Sequence, residues 1–364
     1  MVIRHNQARH NRVHCRIAPP DLLARLAVEG TPKQREAAVR ALATSAAIRS
    51  QRAVIGQLGR RLNMDTGALL DGARETGERL SVYDNQKQGR PFLPGVLVRA
   101  WGKPPVEDKA VNEAYDGSNA TYEFYRDLFG RNSLDGAGLE LVSSVHYGVA
   151  FDNAFWDGTQ MVYGDGSGRI FRVGGLTQSL DVIAHELTHG ITEYTAGLAY
   201  SKQSGALNES FSDVFGSLVK QYSLKQSAAE ANWLIGEGIL VPGLGTALRS
   251  MLNPGTAYSG DRQPGHMDNY VDLPDNNDPR NDNGGVHINS GIPNRAFALA
   301  ALALGGNAWE KAGRIWYQAL TTRLRPTTQF DAAAHATVDV AGTLFGAAEQ
   351  EAVHGAWKEV GVLT

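Results

Sequence analysis

Apolar residues recur along this chain with two different periods, and the change falls near residue 178. From about 91 to 175 they alternate with polar residues or bunch in short β-branched runs. "GVLVRAWG" (95–102), "LELVSSVHYG" (139–148) and "TQMVYGDGSG" (159–168), with their Gly, Asp and Asn turns, read as strands. One helical stretch, "NATYEFYRDLFG" (119–130), interrupts them. Beyond 178 the spacing becomes three and four. It predicts helices over 179–195, 206–223, 292–304, 307–321, 330–347 and 350–360, with a long loop-rich stretch over 241–290. Upstream, "APPDLLARLAVEG" and "TPKQREAAVRALATSAAIRS" predict a small helical unit ending near Ser50. Thr31 reads as its N-cap and Pro32 as the first helical position. Residues 51–90, rich in Gly, Arg and Asn, read as an irregular linker. A β-rich half followed by an α-rich half predicts an α+β molecule of two lobes with a cleft between them.

Composition narrows this little: 364 residues, 42% hydrophobic and 20% charged, are ordinary for a globular chain. The longest apolar runs, such as "AFALAALAL" (296–304), are too short to span a bilayer, so no membrane association is expected. The polar, basic start "MVIRHNQARHNRVHC" lacks the apolar core of a secretory signal. The expectation is secretion by a route that reads no such signal, with a cytoplasmic location as the alternative. A single cysteine, Cys15, excludes an intramolecular disulfide framework. Charge is more informative. The net −3 divides into +8 over residues 1–60 (11 Lys/Arg, 3 Asp/Glu) and −11 over the rest (24 against 35). A positive arm docked on its own negative body fits that division. A nucleic-acid-binding arm is the other reading, and no nucleic-acid module accompanies it, so no such partner is expected.

The candidate chemistry lies in "DVIAHELTHGITEY" (181–194). On a helix, His185 and His189 share one face about 6 Å apart, and both imidazoles reach one tetrahedral ion. Glu186 follows the first histidine, where its carboxylate serves a water rather than the metal. A catalytic site needs a third ligand. "SGALNESFSDVF" (204–215) offers Glu209 as a carboxylate and Asp213, one turn on, to receive a histidine N–H. Asn208 is assigned to the same supporting role. The plainer reading makes Glu209 and Asp213 a solvated helix face, and the apolar Leu207, Phe211, Val214 and Phe215 around them weigh against it.

With these segments the sequence resembles the thermolysin family of zinc endopeptidases. Three more stretches extend the likeness across roughly 55–364: "DNAFWDG" (152–158), "LRSM" (248–251) and "DNGGVHINSGIPNRAF" (282–297). The resemblance implies one catalytic zinc on His185, His189 and Glu209, with water in the fourth place. Glu186 would be general base and then general acid. Tyr200 and His287 would be donors to the developing oxyanion, with Asp282 orienting His287. It implies that Asn153 and the Ala154 backbone hold an extended peptide, and that Arg249 grips the carbonyl beside the primed-side residue. Leu176, Val182, Ile235, Ile239 and Leu248 would line that residue's pocket, so cleavage is expected on the amino side of hydrophobic residues. Peptides and proteins are the expected substrates.

Two departures from the family pattern carry expectations of their own. At the positions of the family's double calcium site this chain has Asp181, Lys220, Asn232, Leu234 and Glu237. Calcium wants six to eight oxygen ligands. The double site is therefore expected to be absent, with the Lys220 ammonium pairing with Asp181 and Glu237. Calcium elsewhere stays open through "DLPDNNDPRNDN" (272–283), which reads equally as a solvated loop. The short arm with "PPDLL", including Pro19 and Pro20, is similar to the propeptide of a protealysin-like branch. The expected division is a propeptide at 1–50, a β-rich catalytic lobe at 51–195 and a helical catalytic lobe at 196–364. The propeptide acts in cis and is removed somewhere in 45–60. The Cys15 thiolate is a candidate zinc ligand in the zymogen, and the enzyme is expected to work as a monomer. A catalytically silent, thermolysin-like binding protein is the competing reading.

Overall fold

The computed structural model describes residues 17–44, 79–276 and 278–364. Two short helices come first, α1 (Pro20–Glu29) and α2 (32–44). Proline at the start of α1 loses nothing by lacking an N–H there. At the head of α2, Thr31 Oγ1 accepts from the Gln34 N–H at 3.4 Å, and Gln34 Oε1 accepts from the Thr31 N–H at 2.9 Å. This reciprocal cap explains why the helix begins where it does. Both helices are amphipathic, burying Leu22, Leu23 and Leu26 from one and Ala38 and Ala41 from the other.

Five strands, β1 (Leu80–Asp84), β2 (Val96–Ala100), β3 (Leu141–Val145), β4 (Ala154–Trp156) and β5 (Met161–Tyr163), form one mixed sheet in the order β2-β1-β3-β5-β4. The three inner strands are parallel, and each outer strand pairs antiparallel with its neighbour. β4 is therefore an edge, with one side of its backbone committed to β5 and the other facing the cleft. Helix α3 (Lys109–Phe129) crosses behind this sheet, started by Asp108, whose side chain accepts from the N–H groups of Ala110 and Val111.

The rest is helical: α4 (Gly175–Gln178), α5 (Leu180–Tyr194), α6 (Lys202–Leu224), α7 (Asp282–Asn289), α8 (Gly291–Leu304), α9 (Ala312–Thr322), α10 (Phe330–Leu344) and α11 (Ala347–Glu359). A two-stranded ribbon, β6 (Leu234–Ile235) with β7 (Arg249–Ser250), lies between α6 and α7. Helix α5 sits at the centre, fully buried from Asp181 to Thr192. Glycine lets its neighbours approach: a Cβ on Gly216 of α6 would lie 2.5 Å from the Asp181 carbonyl oxygen, and one on Gly117 of α3 would overlap the Ile183 side chain. Close approach of α6 to α5 is what allows side chains from both to meet at one point.

The two-lobed α+β architecture is as expected, with local corrections. A strand, β1, lies in the stretch read as irregular linker. Helix α3 starts at Lys109, ten residues before the apolar signal, because capping and tertiary packing outweigh the poor formers Asn112, Asp116, Gly117 and Ser118. The helix expected over 307–321 occupies Ala312–Thr322. Helix α7 lies inside the stretch read as loop, and its first turn is irregular, with Asn283, Gly284 and Gly285 at positive φ. The end of the helical unit near Ser50 lies outside the described residues.

Candidate metal centre

His185 and His189 project from α5 toward Glu209 of α6, and all three are buried. The two Nε2 atoms are 3.1 Å apart, while the Glu209 carboxylate oxygens lie 3.5 Å from His185 Nε2 and 3.6 Å from His189 Nε2. A tetrahedral zinc with donors about 2.0–2.1 Å away separates them by about 3.3 Å. The set is thus spaced as three corners of that tetrahedron.

The other ring nitrogens are occupied. His185 Nδ1 meets Asp213 Oδ1 at 2.8 Å; His189 Nδ1 meets Asn208 Oδ1 at 2.8 Å and Ser212 Oγ at 2.9 Å. These partners turn both Nε2 lone pairs toward Glu209. Asp213 is itself held by Arg249, through Nε at 2.7 Å and Nη2 at 2.8 Å, and by the Asn294 amide at 2.8 Å. Outweighing the effect of burial, the guanidinium keeps the Asp213 carboxyl below its usual range.

This centre gathers buried charge of both signs. Glu186, Glu209, Asp213 and Asp282 are buried carboxylates, and Arg249 is the one buried guanidinium among them. Glu209 Oε2 and Glu186 Oε1 have no hydrogen-bond partner among the described residues. Burial would lower the His185 pKa, yet the charges of Asp213 and Glu209 lift it to about 9. Burial holds His189 near 3, neutral and free to donate a lone pair. A divalent cation between the three donors takes the place of the proton on His185 and takes up the orphan oxygen, so the residues fit zinc.

Around the donors stand the remaining groups singled out in the sequence. Glu186 Oε2 accepts the Trp156 N–H of β4 at 3.0 Å, and burial pushes its carboxyl up to about 7. Tyr200 Oη bonds Glu209 and lies 3.2 Å from His287 Nε2. Asp282 binds His287 twice, at Nδ1 (2.6 Å) and at the backbone N–H (2.7 Å). The irregular start of α7 lets one carboxylate reach both atoms. Leu176, Val182, Ile235, Ile239 and Leu248 are all buried, and the side chains of Ile239 and Leu248 crowd the Cα of Gly236, next to Ile235.

The cleft edge holds part of the chain itself. The Ile17 N–H donates to the Ala154 carbonyl at 3.3 Å, the Ala18 N–H to Asn153 Oδ1 at 3.1 Å, and Arg249 Nη1 to the Ile17 carbonyl at 3.4 Å. Pro19 and Pro20 then lead into α1, where Asp21 accepts from Tyr258 Oη at 2.9 Å. Asn153, Ala154 and Arg249 thus meet on one two-residue stretch, Ile17–Ala18. Cys15 lies outside the described residues.

Lys220 Nζ meets Asp181 Oδ2 at 2.7 Å and the Leu234 carbonyl at 2.5 Å. One detail differs from expectation: Glu237 takes the Asn232 amide at 2.6 Å rather than the ammonium. Sequence reasoning missed Trp156, Ser212 and Asn294. Ser212 stands one turn from Asn208 on α6, a usable signal; the other two act across 30 and 81 residues.

A helix pair that supplies two histidines and a carboxylate, with a glutamate beside them and a strand edge alongside, defines a metallopeptidase. Family models agree: the thermolysin metallopeptidase catalytic domain matches residues 65–193, and the thermolysin metallopeptidase alpha-helical domain matches 196–362. An extracellular metalloprotease of Pectobacterium carotovorum subsp. carotovorum is 47% identical over 366 residues, 97% of either chain. Protease PrtS of Photorhabdus sp. (strain Az29) is 50% identical over 289 residues, 78% of this chain and 76% of that one. Among solved structures, the precursor of protealysin, a metalloproteinase from Serratia proteamaculans, superimposes with a TM-score of 0.81 at 44% identity, covering 96% of this chain and 99% of that one. The chain belongs to the thermolysin family of metallopeptidases and is a zinc metalloendopeptidase. Among the described residues, no helix is long and apolar enough to cross a membrane.

Proposed function

We propose that the described chain is the silent precursor of a neutral endopeptidase that cuts on the amino side of hydrophobic residues. The observation that carries this reading is the coincidence of two sets. Asn153, Ala154 and Arg249, expected to hold substrate, hold Ile17 and Ala18 instead. Residues 1–50 are assigned as propeptide, 51–195 as the β-rich lobe and 196–364 as the helical lobe. The two family spans meeting between 193 and 196 support the second boundary.

His185, His189 and Glu209 hold zinc, which when bound polarises the scissile carbonyl and acidifies water. Glu186, fixed by the Trp156 N–H, takes the proton from the attacking water and hands it to the departing amine. Tyr200 and His287 donate to the oxygen as negative charge builds on it. Asp282 keeps His287 turned with Nε2 toward the cleft. The buried aliphatic set around Gly236 accepts the primed-side residue and excludes charged ones.

The Lys220–Asp181 pair replaces the double calcium site; calcium bound there in a crystal soaked at millimolar concentration overturns this. The mature enzyme acts on extracellular proteins as a monomer. The name of the Pectobacterium relative, an extracellular metalloprotease, supports extracellular action. Zinc content and peptide hydrolysis, measured on wild type and Glu186→Ala after removal of the propeptide, test the central reading. Both proteins should bind one zinc and only wild type should hydrolyse. Loss of zinc in both sinks the metal centre, and an active mutant sinks the general base.

A further inference from the structure

Helix α7 is a poor frame for the imidazole it carries. Its first turn runs through Asn283, Gly284 and Gly285 at positive φ, and a single residue, Ser290, separates its end from α8. Side chains hold His287 instead. At one end of the residue, Asp282 takes the backbone N–H and Nδ1. At the other, the His287 carbonyl accepts from Gln263 Nε2 at 2.7 Å and from Ser290 Oγ at 2.8 Å. Ser290 belongs to the same turn, whereas Gln263 reaches in from the loop that follows β7, 24 residues away. A carbonyl only accepts, so the glutamine nitrogen must be the atom that faces it. Its oxygen, Oε1, is then buried with no partner among the described residues. Leaving that oxygen unpaired costs stability. An apolar side chain of similar length avoids the cost, so packing does not account for a glutamine at this position.

We propose that Gln263 is a positioning residue for the hydrolysis: through the His287 carbonyl it aims His287 Nε2 at the substrate oxygen on which negative charge builds. This rests on the oxyanion-donor reading of His287 above and adds the group that directs it. Gln263 acts through this contact and not on the substrate.

The loop that carries Gln263 is built to hold a fixed place. Asp261 braces it from within, Oδ2 accepting the Ala257 N–H and Oδ1 the Gln263 N–H, both at 3.1 Å. The loop also sits directly on the start of α8. A Cβ on Gly291 would lie 2.6 Å from the Pro264 carbonyl oxygen and 3.1 Å from the Gln263 Cβ. The amide nitrogen spans the junction of the two helices, since it also donates to Ser290 Oγ at 3.1 Å. A donor mounted on so closely seated a backbone can fix the tilt of His287, and a misplacement of about 1 Å at a reacting centre costs on the order of 100-fold in rate.

Steady-state kinetics on a peptide with an internal leucine test this, using zinc-loaded enzyme freed of its propeptide. Wild type, Gln263→Met, His287→Ala and the double variant are compared, with zinc content and chemical denaturation measured on each. Methionine keeps the length of the side chain and removes both the donor and the unpaired oxygen. Gln263→Met should lower kcat about 10–30-fold with KM within about twofold, because a donor to the oxyanion works only in the transition state. In the His287→Ala background the same substitution should change kcat less than about threefold, since nothing remains to be aimed. Should Gln263→Met fail to fold, Gly291→Ala, which displaces the loop at Pro264 instead of removing the amide, is held to the same pattern. A folded Gln263→Met with wild-type kcat, or one that loses the same factor in both backgrounds, overturns the inference and leaves the peptidase reading standing. Full activity in His287→Ala sinks the oxyanion-donor reading, and this inference with it.

Discussion

Two acidic clusters share the helix pair α5–α6, one turn apart, and they meet the cost of buried negative charge in opposite ways. At Asp181 the cation is part of the chain. Lys220 reaches its carboxylate, and Ser179 Oγ (2.6 Å) and the Gly236 N–H (3.2 Å) complete the shell. At His185–His189–Glu209 the corresponding place is left to a metal, and a buried oxygen of Glu209 stays without a partner among the described residues. Burying a carboxylate requires a partner of opposite charge or a full set of hydrogen bonds. A covalent ammonium satisfies that need permanently and does no chemistry. A metal satisfies it while presenting an open coordination position, and the neighbouring Glu186 gives that position something to do.

The sharpest way to break this comparison is at the groups that differ in kind. Glu186→Ala should lower kcat on the order of 10³-fold with zinc still bound, the usual worth of a well-placed general base. A tenfold effect would make Glu186 merely another buried acid. The Asp181 cluster should respond in stability instead. Lys220→Met should cost about 2–3 kcal/mol in chemical denaturation, because it strands a buried carboxylate. Adding Asp181→Asn should recover most of that loss; a double variant no better than the single one would mean that the lysine acts by packing.

A subtler test addresses the support behind the ligands. Asp213→Asn keeps the shape of the side chain but leaves His185 and Arg249 with a neutral partner. Zinc affinity should fall about 10–100-fold, read by competition with a chromophoric chelator. Unchanged affinity would mean that Asp213 serves Arg249 and the cleft rather than the metal.

How much of this was legible beforehand depends on the distance over which each feature is written. His185, Glu186 and His189 lie within one helical turn, so spacing alone sets their geometry. Glu209, Asn208 and Asp213 were readable because α6 is a second unbroken helix with an apolar face. The Trp156 N–H on Glu186 and the Asn294 amide on Asp213 were not, since a backbone donor and a remote amide leave no local pattern. β4 escaped notice as a strand because three residues, Ala154 to Trp156, are too short to display alternation, although "NAFW" marked them as substrate-binding by resemblance. The early start of α3 was hidden for a different reason. Four of its first ten residues, Asn112, Asp116, Gly117 and Ser118, are weak formers, and burial of Val111, Ala114 and Tyr115 stabilises the turn they share.

A third cluster sharpens the comparison, because its cation can be switched off. His146 lies between two carboxylates, Nδ1 2.6 Å from Asp165 Oδ1 and Nε2 2.9 Å from Asp108 Oδ2, tying the exit of β3 to the cap of α3. The Asp165 hydrogen bond, aided by Asp108 and opposed by burial, raises its pKa to about 9. A histidine whose folded-state pKa lies above its ordinary 6.5 stabilises the fold fully below that ordinary value. The contribution then declines as pH rises through about 9. Measured by denaturation at pH 6 and pH 10, the stability gap between wild type and His146→Asn should be about 1–2 kcal/mol larger at pH 6. Asparagine is the suitable replacement, since residue 146 sits at φ 56°, where most side chains are strained, and that strain does not vary with pH. A gap independent of pH would mean that His146 holds its two aspartates as a neutral ring. The imidazolium would then have to be removed from the set of cations that balance acid in this fold, leaving the lysine and the metal as its two solutions.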